Sequence, residues 1–153
     1  MVFVSPASQP VGEVSDVNIR QQLIRDEGKH NKPYLDNDGN LTIGIGRNLD
    51  DRGISNAEAF FLFENDLRWV KGELIQRVPW FEQIDVVRQS VLINMAFNMG
   101  VPRLLAKNPK MLAAMKAKNW PLAAAELLNG PYKFQVGPRA YRLADQIEKG
   151  EWR

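Results

Sequence analysis

The amino-acid sequence predicts an α+β fold, in which a small β-hairpin lobe and a larger helical lobe are joined by one long helix. Two short β-friendly runs flank a turn at residues 37–40, whereas the chain after residue 55 has helical spacing of its apolar residues. A length of 153 residues suits one domain or two closely joined lobes. We expect an N-terminal arm at residues 1–16 and a folded domain at residues 17–153.

Within that domain we expect the β lobe at about residues 29–54 and the helical lobe at residues 17–28 and 55–153. The arm contains two prolines and a glycine and no regular pattern. Ser15 or Asp16 can cap a first helix, and Gly28 can end it.

The β lobe is predicted from residues 34–36 and 41–45, which are short strand-like runs. Asn37-Asp38-Gly39-Asn40 lies between them and has the composition of a hairpin turn. We expect a third short strand near Asn48. The same turn resembles the start of a calcium-binding loop, but that loop needs glycine and glutamate where this chain has Leu41 and Arg47.

The long helix is predicted to begin at a capping box, Ser55-Asn56-Ala57-Glu58, and to end near Arg77. Further helices are expected at residues 85–99 and 137–149, and Pro109 and Pro121 suit first turns. The long helix carries an apolar stripe that we expect to be buried along its length, at Phe60, Phe63, Leu67, Val70 and Leu74.

Composition excludes several classes of protein. The formal net charge is only +2 and the basic residues are scattered, so nucleic-acid binding has little support. The chain has one histidine and no cysteine, which leaves no usual zinc ligand set, and we expect neither a metal nor a cofactor. There is no apolar run of 18 residues for a membrane span and no signal-like start.

The informative polar set is Glu27, Asp36 and Thr42. Glu27 ends the first helix, Asp36 leads into the turn and Thr42 lies on the returning strand, so two carboxyl groups and a hydroxyl can line one cleft. Glycoside hydrolysis needs one carboxyl group as acid and a second to activate water or stabilise the cation. By spacing alone, a glutamate and an aspartate nine residues apart are usually just solvated.

Family resemblance adds to this interpretation. The opening signature of T-even-phage-type lysozymes is similar to Asp26-Glu27-Gly28, Tyr34, Asp36, Gly39 and Thr42-Ile43-Gly44-Ile45-Gly46. Later blocks of that family resemble residues 93–100, Trp120, residues 138–140 and residues 150–152. The resemblance covers about residues 17–152, and its first block is specific because residue types and spacing match together.

The resemblance implies a lysozyme-like fold and a muramidase, which hydrolyses the β-1,4 bond between N-acetylmuramic acid and N-acetylglucosamine with inversion. It implies Glu27 as the catalytic acid, Asp36 as the carboxylate that acts on water and Thr42 as the hydroxyl that helps hold that water. Phe97, Tyr132 and Arg139 are the expected substrate-binding residues. No cofactor and no metal are implied.

The implied partner is bacterial peptidoglycan, bound by a monomer that acts as a phage endolysin. Because no signal peptide is recognisable, we expect the protein in the host cytoplasm before release, with a separate holin or delivery machinery; a virion-associated protein is the alternative. A lytic transglycosylase that leaves a 1,6-anhydro end, or a non-catalytic wall-binding or assembly module, are the other readings of the same fold.

One departure from the family pattern concerns Arg47, which stands where that family has a histidine. The family histidine pairs with an aspartate whose counterpart here is Asp66. We therefore expect an ion pair between Arg47 and Asp66. Residues 47–54 are also shorter than in the family's best-known members, so a trimmed β lobe is expected.

Overall fold

The computed structural model describes residues 13–153, with side chains described from residue 17 onward. Eight α-helices, one 3-10 helix and three short strands make up this part of the chain. In chain order they are α1 (Glu13–Glu27), β1 (His30–Leu35), β2 (Leu41–Gly44), β3 (Arg47–Asn48), α2 (Asn56–Arg77), a 3-10 helix (Phe81–Gln83), α3 (Val86–Met99), α4 (Val101–Lys107), α5 (Pro109–Lys116), α6 (Trp120–Asn129), α7 (Tyr132–Val136) and α8 (Pro138–Lys149). The α+β class predicted from the sequence is confirmed.

Helix α1 begins at Glu13, before the predicted caps at Ser15 and Asp16. Residues 13–16, expected to be part of an arm, are therefore helical, and the rest of the expected arm lies outside the described residues. The helix ends as predicted, because Gly28 adopts a left-handed φ of +74° while its N–H still donates to the carbonyl of Ile24 at 3.0 Å.

The sheet has the strand order β1-β2-β3, and both pairs are antiparallel. Leu35 pairs with Leu41, so the intervening residues form a tight turn. Within that turn the N–H of Asp36 donates to the carbonyl of Asn40, and the N–H of Gly39 donates to the carbonyl of Asp36, both at 3.0 Å. The predicted hairpin and the third strand are confirmed.

The capping box that begins α2 is also confirmed. The N–H of Ser55 donates to Oε2 of Glu58 at 2.7 Å, and the N–H of Glu58 donates to Oγ of Ser55 at 3.2 Å. The helix runs to Arg77, where the sequence predicted its end. Pro109 and Pro121 lie in the first turns of α5 and α6, as expected for residues that lack an N–H.

The apolar stripe of α2 is only partly buried, and the prediction of a continuous core face was wrong. Val70 and Leu74 are buried, whereas Leu67 is half-buried and Phe63 is exposed. Phe60 is 69% exposed. Among the described residues every buried hydrophobic side chain lies between Val70 and Ile147, so only the second half of α2 has a core to pack against.

The chain divides into two compact units, Met1–Glu58 and Ala59–Arg153. The first holds α1 and the sheet; the second holds the core, in which α6 packs against α5 and α8. This division groups residues 17–28 with the sheet, whereas the sequence analysis placed them in the helical lobe. In residues 13–153 no helix is both long and apolar enough to cross a membrane.

Candidate active site

Glu27 is the last residue of α1, and its side chain is exposed. Its carboxyl group lies against Gly46, in the turn between β2 and β3. A Cβ atom added to Gly46 would stand 2.7 Å from Oε2 of Glu27, and Gly46 has a φ of +67°. A glycine at this position therefore leaves room for the glutamate carboxyl and also adopts a backbone conformation that other residues resist.

Asp36 follows β1 and its carboxylate accepts four hydrogen bonds. Oδ1 accepts from the backbone N–H groups of Asp38 at 2.9 Å and Asn40 at 2.8 Å. Oδ2 accepts from Nδ2 of Asn40 at 3.3 Å and from Oγ1 of Thr42 at 3.4 Å. The turn thus fixes the orientation of the carboxylate, as aspartates in such turns commonly do.

These bonds also set the charge of Asp36. The backbone hydrogen bond from Asn40 contributes most to lowering the pKa of Asp36 below its ordinary value of 3.8. Partial desolvation opposes this, and the donors from Asp38 and Thr42 and the Asn40 side chain add to the lowering. Donors aimed at the charged form stabilise it, so Asp36 is an anion at neutral pH.

Thr42 lies on β2, opposite Tyr34 of β1 and Asn48 of β3. It is only 3% exposed, and its hydroxyl is within reach of two acceptors, Oδ2 of Asp36 and the Asn40 carbonyl at 3.2 Å. Both bonds that reach Oδ2 of Asp36 are long, so this oxygen keeps capacity to accept a proton from a bound water. The hydroxyl oxygen of Thr42 can accept a second hydrogen bond from the same water.

Arg139 lies near the start of α8, in the second unit. Its Nε donates to Oδ1 of Asn94 at 2.8 Å, and its second terminal nitrogen donates to the carbonyl of Asn94 at 3.0 Å. The guanidinium is therefore clamped by one residue of α3. Neither acceptor is charged, so the cation keeps its full charge for an anionic or polar group.

Phe97 and Tyr132 differ in their access to solvent. Phe97 is exposed on α3 and its ring lies 5.7 Å from the ring of Phe63, with the planes tilted by 57°. Tyr132 is only 1% exposed, and its hydroxyl has no hydrogen-bond partner among the described residues. Burial raises the pKa of Tyr132, against an opposing effect of the Arg139 charge. Phe97 is thus available to a ligand, whereas Tyr132 is placed as a packing residue.

The prediction of an ion pair between Arg47 and Asp66 was wrong. The two terminal nitrogens of Arg47 instead donate to the two carboxylate oxygens of Glu58, at 2.9 and 2.6 Å. One of them also donates to the carbonyl of Gly53 at 3.2 Å. Glu58 is favoured because the capping box already fixes its carboxylate at the start of α2, where it meets both arms of the guanidinium.

Sequence reasoning missed three residues that shape these sites. Asn40 holds Asp36, Gly46 leaves room for Glu27, and Asn94 holds Arg139. A signal existed for the first two, because Asn40 closes a turn with aspartate at its start and Gly46 ends the Gly-Ile-Gly run. Asn94 gave no signal of its own, since an asparagine in a helix is usually just solvated or bonded locally.

Comparisons with known proteins place the chain in one family. The family model described as Phage lysozyme matches residues 25–141. The protein named Probable T4-type lysozyme 1, of Dictyostelium discoideum, is 30% identical over 163 aligned positions, covering 87% of this chain and 95% of that protein. Probable T4-type lysozyme 2 of the same organism is 28% identical, with the same coverage of each.

A further relative comes from Enterobacteria phage T4. Its Pre-baseplate central spike protein Gp5 is 29% identical over 180 aligned positions, which cover 96% of this chain but 31% of that protein. The family match includes the positions of all six predicted site residues and spans more than half of the chain. The chain therefore belongs to the phage lysozyme family, is similar to its T4-type members, and is a glycosidase with a muramidase-type role.

Proposed function

We propose that this protein cuts peptidoglycan by hydrolysing the β-1,4 bond between N-acetylmuramic acid and N-acetylglucosamine. The observation that carries the proposal is the environment of Asp36, an anion held by four hydrogen bonds next to the buried hydroxyl of Thr42. A second carboxyl group, that of Glu27, belongs to the same unit of the fold. Glycosidases use such a pair in two different charge states.

In the proposed reaction Glu27 is the acid and Asp36 the base. Glu27 gives its proton to the glycosidic oxygen as the bond to the anomeric carbon breaks. Asp36 takes a proton from a water that Thr42 helps to hold, and the resulting hydroxide oxygen bonds to the anomeric carbon from the opposite face. This course inverts the anomeric configuration and predicts carboxyl groups roughly 6.5–9.5 Å apart.

We also assign substrate contacts to Phe97 and Arg139. An exposed aromatic ring offers a flat apolar face to a sugar, and a guanidinium with neutral partners offers donors to carboxylates and hydroxyls. Tyr132, expected from the sequence to bind substrate, contributes through packing in this proposal because it is buried.

The products of digestion test the proposal. Purified wall is treated with the protein in ¹⁸O-water, and the fragments are analysed by mass spectrometry. Hydrolysis leaves one ¹⁸O at each new reducing end, and proton NMR during the first turnovers shows the inverted anomer. Fragments that lack one water and carry no label would identify a lytic transglycosylase instead, and intact wall would identify a non-catalytic binding module.

The role of Glu27 is tested by Glu27→Gln, which keeps the shape of the side chain but has no proton to give. We expect wall lysis to fall by at least about 10²-fold, the usual scale of general acid catalysis, with no change in folding. Asp26→Asn is the matched control, since Asp26 is an exposed neighbouring carboxyl whose partner is Arg25. Near-normal lysis by Glu27→Gln would remove Glu27 from the role of acid.

We further propose that the protein is an endolysin, which frees phage progeny once a separate holin or similar machinery gives it access to the wall. The similarity to a phage spike protein supports a virion-associated enzyme as the second candidate. Expression inside bacteria and analysis of purified virions distinguish an endolysin from a virion-associated enzyme. An endolysin lyses the cells when the membrane is permeabilised, and antibodies raised against it find none in purified virions.

A further inference from the structure

Two aromatic rings and one ammonium group form a distinct surface on the second unit, which we call the α7–α8 platform (Lys133, Phe134 and Tyr141). Phe134 is 85% exposed and Tyr141 is 52% exposed. The ammonium of Lys133 lies 5.9 Å from the centre of the Phe134 ring and 5.4 Å from the centre of the Tyr141 ring. Single exposed aromatic residues are common, but rings that share one cation form a continuous surface.

The backbone that carries the platform is well anchored. Tyr132, next to Lys133, is buried, and the N–H of Gly137 donates to the carbonyl of Lys133 at 2.9 Å. In α8, Ala140, which precedes Tyr141, and Ala144, about one turn further on, are both buried in the core. The rings therefore stand on backbone that does not need to reorganise when a ligand covers them.

The free charge near the platform is positive, because Asp145, the carboxylate one turn after Tyr141 in α8, is paired with Lys149 and Arg153. Residues 127–144 contain Lys133, Arg139 and Arg142 and no aspartate or glutamate. Among the described residues, Lys133 contacts the two rings and no carboxylate. An anionic partner would thus meet uncompensated positive charge, and the same field disfavours a cationic one.

We propose that the α7–α8 platform is an auxiliary binding site for the glycan strands of the wall, and that it uses none of the residues assigned to bond cleavage. Sugar rings present polarised C–H groups, which pack on the negative face of an aromatic ring. The carboxylates carried by peptidoglycan pair with Lys133 and Arg142. The inference rests on the proposed function, and it adds a site that holds the enzyme on an insoluble substrate.

The test compares two substrates. For the double variant Phe134→Ala/Tyr141→Ala, we expect the half-saturating concentration of insoluble wall to rise by about tenfold, as for the loss of two ring contacts. Turnover of a short soluble glycan fragment stays unchanged, because the fragment does not need the platform. Trp69→Ala is the matched control, since Trp69 is an aromatic residue of similar exposure, at 64%, and lies outside the platform. Lys133→Gln should flatten the salt dependence of wall binding.

Any other outcome overturns either the platform inference or the proposed function, and the experiment shows which of these fails. If the wild-type protein cleaves neither substrate, the proposed function fails. If it cleaves both and the double variant matches Trp69→Ala on wall, only the platform inference fails. It also fails if sedimentation equilibrium shows a dimer that the double variant abolishes, or if the wild-type protein but not the double variant binds vesicles of anionic and zwitterionic lipid.

Discussion

At the scale of single residues, the turn around Asp36 decides the charge of the candidate base. Its strongest donor is the backbone N–H of Asn40, and the Asn40 side chain adds another. Because these bonds lower the folded-state pKa, they stabilise the fold at pH values above the ordinary pKa of 3.8. That contribution is lost as the pH falls through the lowered pKa.

Asn40→Ala removes the side-chain donor and keeps the backbone donor. We expect the pKa of Asp36 to rise towards 3.8 without reaching it, and the acid limb of the pH–rate profile to move to higher pH with it. Carbon-13 NMR of the Asp36 carboxyl during an acid titration measures the shift. Asn37→Ala, in the same turn, is the control. An unchanged or lower pKa in Asn40→Ala would contradict this account of the turn.

Gly46 and Gly44 offer a matched pair of substitutions. Both have positive φ, +67° and +72°, but an added Cβ meets the Glu27 carboxyl only at Gly46, whereas it meets nothing within 4 Å at Gly44. Each change to alanine should cost roughly 1–2 kcal/mol of unfolding free energy from backbone strain. Gly46→Ala alone should also slow wall lysis, because it displaces Glu27. Denaturant unfolding and lysis rates of both variants are compared on the same preparations, and equal losses of lysis would show that strain is the whole effect.

The sequence predicted the candidate site residues and the turn that lies between them. The roles proposed for Glu27, Asp36 and Thr42 came from the resemblance to the T-even-phage-type signature, whereas the composition of the turn by itself predicted the hairpin. The donors to Asp36 could not be predicted in the same way. Two of them are backbone N–H groups, which every residue except proline has, so only the turn geometry selects them.

At the scale of elements, Glu58 links β3 to the start of α2. It accepts two hydrogen bonds from Arg47 and one from Ser55. The backbone hydrogen bond from Ser55 contributes most to lowering the pKa of Glu58, with further contributions from the Ser55 side chain and the Arg47 charge. Glu58 is thus both a helix cap and an ion-pair partner.

A double-mutant cycle measures this link. Arg47→Ala and Glu58→Gln should each destabilise the protein, and their effects should be less than additive because they remove one shared interaction. The coupling should disappear as the pH falls through the lowered pKa of Glu58, since the carboxylate is then neutral. The cycle of Arg47→Ala with Asp66→Asn is the control and should show no coupling. Equal coupling in both cycles would restore the pairing expected from the sequence.

Local sequence signals predicted the boundaries of the helices, but they did not predict which side chains are buried. The capping box and the prolines predicted where α2, α5 and α6 begin, because these signals act within one turn. The stripe on α2 predicted a buried face, yet the same periodicity covers Val70, which is buried, and Phe60, which is exposed. Periodicity shows which residues share a face, but burial depends on whether another element packs there.

At the scale of the whole molecule, the two units differ in how much they bury. Thr42 is the only buried side chain described in the first unit, whereas the second holds the entire buried hydrophobic cluster. Local opening costs least where few apolar contacts must be broken. We therefore expect native-state hydrogen exchange to show lower opening free energies for amides of α1 and β1–β3 than for those of α3, α6 and α8.

The exchange experiment has an internal control in α2, whose amides after Val70 should be better protected than those before Leu67. Uniform protection of both units would contradict the difference in burial. The sequence predicted one small and one large part but placed residues 17–28 with the larger. The apolar residues Ile19, Leu23 and Ile24 of α1 have helical spacing, yet all three are exposed. Helical spacing alone does not say which unit a helix joins.

The turn bond from the N–H of Gly39 to the carbonyl of Asp36 also bears on chemical ageing. Asp38-Gly39 is an exposed aspartyl-glycyl pair, the kind of sequence that rearranges to isoaspartate when the glycine nitrogen attacks the preceding side-chain carboxyl. Here that nitrogen is engaged at 3.0 Å in the folded chain, which weakens it as a nucleophile and restrains its approach to Asp38. Rearrangement to isoaspartate would add a methylene to the backbone of the turn and displace the donors of Asp36. We therefore expect Asp38-Gly39 to rearrange more slowly in the native protein than in the unfolded chain.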